Sequence, residues 1–174
     1  PILDSKVVEG DLVLVPFTEP VGRIEILAAK QLISGKIREL ELLAVYNEFK
    51  DRVGTIITVS VHKSERGGWA CKIGEALAFL PRENTVDKEA VRVGYQIKVL
   101  LQEVLPVVRN DGYQLILDRA SAQFVEKLIE LEIPEVFEGM VEIKKIVRVP
   151  GYKTKAIVAS RSKDIDPVGT CVGI

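Results

Sequence analysis

Histidine is nearly missing from this chain, which holds one, His62, among 174 residues. Cysteine is almost as scarce: Cys71 and Cys171 stand a hundred positions apart. The pair is too sparse for a disulfide scaffold and too isolated for a zinc site, which takes about four ligands. One histidine also excludes most histidine-based catalytic relays, and no carboxylates cluster by spacing as a metal-dependent nuclease needs. The chain therefore reads as a non-enzyme with no cofactor and no metal, suited to a reducing cytoplasm. No apolar run approaches the ~18–20 residues of a membrane span, so no membrane partner is expected. The N-terminus lacks the basic and apolar regions of a signal peptide. The first residue is proline and the one methionine is Met140, so the chain is expected to be a piece of a longer protein.

Apolar residues make up 47% and charged residues 28%, enough apolar material for a core and a poor match to disorder. The charges cancel to a net of −1 over the whole chain, but not locally. Residues 1–49 carry 5 basic and 8 acidic side chains, residues 50–118 carry 10 and 9, and residues 119–174 carry 9 and 8. Positions 143–163 hold seven basic residues and no acidic one: Lys144, Lys145, Arg148, Lys153, Lys155, Arg161 and Lys163. A local field of this kind, rather than the total, steers an anionic partner.

Residues 7–17 suit a single strand ending at Pro16. A helix is expected from about Pro20 to Phe49, because Ile26, Ile33, Ile37, Leu40 and Ala44 recur at helical steps and Leu42, Val45 and Phe49 add a flanking stripe. Such a helix would be ~44 Å long at ~1.5 Å per residue, with Gly35 its weak point, and reads as a connector. The period then changes to two. Val53, Thr55, Ile57, Val59 and Val61 alternate with Thr58, Ser60 and His62. Trp69, Cys71 and Ile73 follow a Gly67-Gly68 turn, then Leu77 and Phe79, then Ile97, Val99 and Leu101. Asn110-Asp111-Gly112 marks a turn before Tyr113, Leu115 and Leu117. Five short, half-apolar strands suggest a small closed barrel of the OB type. Ser121 offers an N-cap to a helix carrying Phe124, Leu128 and Leu131, stopped before Pro134. Two strands joined at Pro150-Gly151 follow, and Asp166-Pro167 suits a helix start. The expected fold is multidomain α+β, made of a connector helix, a five-stranded OB-type β-barrel and a partial α/β unit.

Several stretches are also familiar. Tyr46-Asn-Glu-Phe-Lys-Asp-Arg-Val-Gly54, Leu80-Pro-Arg-Glu83, Leu131-Glu-Ile-Pro-Glu135, Gly139-Met-Val-Glu-Ile-Lys144, Pro150-Gly151 and Asp166-Pro-Val-Gly-Thr-Cys-Val-Gly173 occur in this order. Over about residues 20–174 the chain resembles the bacterial transcription elongation and termination factors of the NusA family. The resemblance implies a remnant of an N-terminal domain at 1–19, a connector helix at 20–50, an OB-fold domain of the ribosomal-protein-S-one type at 51–119, and the first part of a prokaryotic-type KH domain at 120–174. It implies binding to single-stranded nascent RNA, contact with RNA polymerase and with other elongation and antitermination factors, and control of pausing, termination and antitermination. The phosphate-binding Gly-x-x-Gly of the KH domain would open at Gly173, with its last two positions missing.

Candidate RNA contacts are His62, Lys63, Arg66, Lys72, Phe79 and Arg82 on the barrel and Lys144, Lys145, Arg148, Lys153, Lys155 and Gly173 on the KH portion. Phe79 and Trp69 suit base stacking, worth ~1–3 kcal/mol per base. Core packing is the favoured reading for Trp69, which shares parity with Cys71 and Ile73, and an equal alternative for Phe79, which shares parity with Leu77. The cations suit phosphates, but a solvated face would carry the same residues. His62 suits either a plain surface position or an RNA contact, and Tyr113 suits packing at a strand start. A rival reading makes the acidic helix and the barrel a protein-docking module with little affinity for RNA.

Overall fold

A computed structural model describes residues 22–86, 89, 91–107 and 112–172. The expected strand at 7–17, the helix start at Pro20, the Asn110-Asp111 part of the turn and Gly173 lie outside these. Two compact units divide the chain, residues 1–39 and 40–174. In the first, the described part is the beginning of α1 (Arg23–Phe49). Here Ile26, Ile33 and Ile37 are exposed, and a side chain at Gly35 would meet nothing within 4 Å. In the second unit, the flanking stripe is the one that packs. Val45 lies against the barrel core and Phe49 is inside it, while the Leu42 carbonyl accepts a hydrogen bond from Gln114 Nε2 at 3.0 Å.

The barrel is built from β1 (Ile56–Glu65), β2 (Gly68–Ile73), β3 (Ala76–Pro81), β4 (Gln96–Val104) and β5 (Leu115–Asp118). It closes in the order β1-β2-β3-β5-β4. All neighbours are antiparallel except β3 and β5, which run parallel. Ile57, Val59 and Val61 point inward as their alternation requires, and meet Cys71, Ala78, Leu80, Val99, Leu101, Leu115 and Leu117. Val53 and Thr55 do not extend that face. A 3-10 turn at Lys50–Arg52 and Gly54, at φ +81°, precede the strand, so both side chains stay exposed.

The pairing register decides which face of β3 is buried, the point that sequence leaves open for Phe79. Ile73 pairs with Ala76 across the Gly74-Glu75 turn, which sets Cys71 against Ala78 and Trp69 against Leu80. Cross-strand partners share a face of the sheet. Ala76, Ala78 and Leu80 are therefore buried, and Leu77 and Phe79 lie on the outer face.

After Asp118 come α2 (Ala122–Glu132), the short α3 (Pro134–Phe137), β6 (Val141–Val149), β7 (Lys153–Ser160) and α4 (Pro167–Val172). Ser121 caps α2 as its sequence predicts, its side chain accepting from Phe124 N. The strands β6 and β7 form an antiparallel two-stranded sheet. The junction with the barrel is polar and aromatic together. The Asp118 carboxylate, buried at the end of β5, accepts from the N–H groups of Ala120 and Ser121 at 3.1 and 3.2 Å. Phe124, also buried, has the Arg119 guanidinium 5.1 Å and the Arg148 guanidinium 5.5 Å from its ring centre. Arg148 also donates to the Ser121 carbonyl at 2.8 Å. Arg119 pairs with Glu89, and Lys98 of β4 pairs with Glu132 of α2.

Phe124→Ala is expected to lower stability by about 3–5 kcal/mol through cavity formation and loss of the ring under both cations. Arg148→Met, which keeps the aliphatic stem, is expected to cost about 1 kcal/mol from the lost hydrogen bond. Urea unfolding, followed by Trp69 fluorescence for the barrel and by circular dichroism for the whole, measures both.

Candidate nucleic-acid interface

The outer face of β1, β2 and β3 gathers most of the residues that sequence analysis singles out on the barrel. Strand β1 bulges between Val61 and Lys63. His62 is the extra residue, exposed and unpaired with β2, and such a bulge re-aims the side chains around it. Register sets Lys72 between Ser60 and Leu77, and Phe79 between Ala70 and Ile116. Phe79 is half-buried and stacks on Tyr113, with ring centres 5.2 Å apart and planes at 27°. An offset pair of this kind is a stable aromatic arrangement.

The β1–β2 turn reaches the end of β3. The Arg82 N–H donates to the Gly67 carbonyl at 2.8 Å, and Gly67 itself sits at φ +98°, which favours glycine. Glu65, Arg66, Gly67, Phe79, Pro81, Arg82 and Glu83 line one groove of about 580 Å³. A neighbouring groove of about 330 Å³ shares Glu65 and Arg82 and reaches Trp69. Trp69 is half-buried against the core, so the core reading describes most of its ring.

Lys63 is not a free cation, because its Nζ lies 2.6 Å from Glu65 Oε1. Lys63 first, and the Tyr113 hydroxyl second, hold the Glu65 carboxyl below the usual carboxylate range. A carboxyl so lowered adds stability above its unfolded pKa and loses it as pH falls through the folded value, here in the acid range. Glu65 and Tyr113 were not legible as site residues. Glu65 reads as part of a turn, and its partner Tyr113 is 48 positions away.

On the KH portion the basic run separates into three kinds of residue. Lys145, Lys153 and Lys155 share one face of the β6–β7 sheet with Val147, Val149 and Ile157, all exposed. Among the described residues, none of these three lysines has an ion-pair partner. Lys144 pairs with Glu142 at 2.7 Å. Arg148 turns to the other face and serves the junction at Phe124. Its burial lowers the guanidinium's pKa, against the pull of Asp118. Membership of a basic run does not by itself make a cation available to a ligand.

Residues 119–174 match the model of the NusA-like first KH domain. The transcription termination/antitermination protein NusA of Thermus thermophilus is 35% identical over 172 residues, 98% of this chain and 44% of that protein. Over nearly its whole length the chain is similar to NusA. The NusA proteins of Borreliella burgdorferi and Bacillus subtilis are 32% and 33% identical over 99% and 94% of this chain. The chain spans 36–44% of the length of these three NusA proteins. Among its described residues no helix is long and apolar enough to cross a membrane.

Gly68 holds the interface together by what it lacks. A Cβ there would meet the Leu80 carbonyl oxygen at 2.2 Å and the Phe79 ring at 2.9 Å. Gly68→Ala is expected to cost about 1–3 kcal/mol, as overpacking does, and to displace the Phe79 ring. Urea unfolding reads the first effect, and the aromatic proton shifts of Phe79 and Tyr113 read the second.

Proposed function

We propose that this chain is an RNA-holding part of a cytoplasmic transcription factor acting in pausing, termination and antitermination. Residues 51–119 form its OB-type domain and residues 120–174 the first part of its KH domain, with residues 20–50 the connector from the N-terminal remnant at 1–19. Single-stranded nascent RNA lies on the outer face of β2 and β3. Bases stack at Phe79, and Lys72, Arg66, Arg82 and His62 border the strand. Lys145, Lys153 and Lys155 add electrostatic contact on the KH sheet, while Lys63 and Lys144 are already paired with carboxylates. RNA polymerase and other antitermination factors are partners of the longer protein.

The observation that carries this reading is the Phe79–Tyr113 stack on the outer surface of the barrel, bordered by cations. A stacking platform with flanking cations is the common means of holding unpaired nucleotides. The relatives' shared name supports the setting in transcription. A second reading, docking on a protein surface, draws on the exposed Ile26, Ile33 and Ile37 of α1. Polymerase binding that RNA does not compete would favour it.

Fluorescence anisotropy of a labelled single-stranded RNA at several salt concentrations tests the RNA reading. Three or four phosphate contacts predict a log–log slope of about −2 to −3, from about −0.7 per contact. Lys145→Glu with Lys153→Glu is expected to make the slope shallower by about 1.4. Phe79→Ala is expected to weaken binding by about 1–3 kcal/mol while leaving the slope in place.

A further inference from the structure

The groove beside Phe79 is charge-balanced, and that suits it poorly to a phosphate track. Arg66 and Arg82 line it together with Glu65 and Glu83. A nucleobase edge presents both donors and acceptors and can use both signs of charge. The volume, about 580 Å³, falls within the roughly 300–1,000 Å³ of small-molecule clefts. One face of the Phe79 ring is taken by Tyr113, and the ring itself lines the groove.

We propose that this groove is a base-selective subsite for guanine in single-stranded RNA, with Glu65 reading the Watson–Crick edge and Arg66 or Arg82 reading O6 and N7. The proposal rests on the RNA-binding reading above. An ionised carboxylate is acceptor-only, with about four lone-pair sites. Lys63 and Tyr113 occupy two of those on Glu65, which leaves room for two more donors. Guanine alone among the four bases presents two adjacent donors, N1–H and the N2 amino group. Adenine and cytosine set one amino group beside a ring-nitrogen acceptor, and uracil sets one N–H between two carbonyls. Each of these would turn an acceptor toward the carboxylate. The guanidinium groups complement guanine on its other edge, where arginine commonly meets O6 and N7.

The test uses the whole chain and labelled oligouridine octamers with G, A, C or inosine at one central position, titrated by fluorescence anisotropy. Inosine lacks the N2 amino group, so it probes the Glu65 contact without altering the protein. The expected result is about tenfold tighter binding of the G probe than of the A, C or all-U probes. Inosine should lose most of that preference, and Glu65→Gln should level all four bases. Salt-sensitive binding with no base preference would overturn the guanine assignment and leave the RNA reading standing. A G preference that survives both inosine and Glu65→Gln would overturn the role of Glu65. Absence of salt-sensitive binding to every probe would overturn both readings.

Discussion

Phe124 has two guanidinium groups over its ring, that of Arg119 at the end of the barrel and that of Arg148 on β6. Beside it the Asp118 carboxylate fastens the turn into α2 through the N–H groups of Ala120 and Ser121. Two like charges over one ring would repel in isolation. Here the first cation is neutralised by Glu89 and the second lies near Asp118. The hydrophobic ring excludes water from the hydrogen bonds around it, and those bonds hold the ring's neighbours in place. Through Arg148 and Ser121 this arrangement ties β6 to the start of α2 at the end of the barrel.

The two surfaces proposed to hold RNA differ in chemical character. The barrel surface offers an aromatic stack and a charge-balanced groove, a composition that favours contact with bases. The KH sheet offers lysines without partners between exposed β-branched residues and favours contact with phosphates. Base contacts confer selectivity and phosphate contacts confer affinity that falls with salt. Both surfaces lie on one compact unit, residues 40–174.

How much of this was legible beforehand varies by element. Strand β1 followed its alternation, because Ile57, Val59 and Val61 had no competing pattern on the other face. Helix α2 followed its cap, but of its expected stripe Phe124 is buried, Leu128 is half-buried and Leu131 is exposed. In strand β3 two large apolar residues, Leu77 and Phe79, lie outside, while Ala76, Ala78 and Leu80 lie inside. The interior of a small barrel has room for Ala76 and Ala78 opposite bulky neighbours, so size did not indicate burial there. Arg148 likewise sat unmarked within a basic run, since nothing local showed that Phe124, 24 positions earlier, would lie beneath it.

The sequence by itself determined the order of helix, five strands, helix and strand pair, the positions of the main turns, the cationic stretch and the resemblance to the NusA family. These properties are written in periods of two and 3.6, in glycine and proline, and in short stretches that resemble the family's. Only the tertiary structure decided which face of β3 is wet, which cations are unpaired, and that Glu65, Phe79 and Tyr113 share one surface. A period of two says that a strand has two faces without saying which one is buried. That choice comes from the pairing register and from barrel closure. Parallel pairing of β3 with β5 joins segments more than thirty positions apart, and no local pattern encodes it.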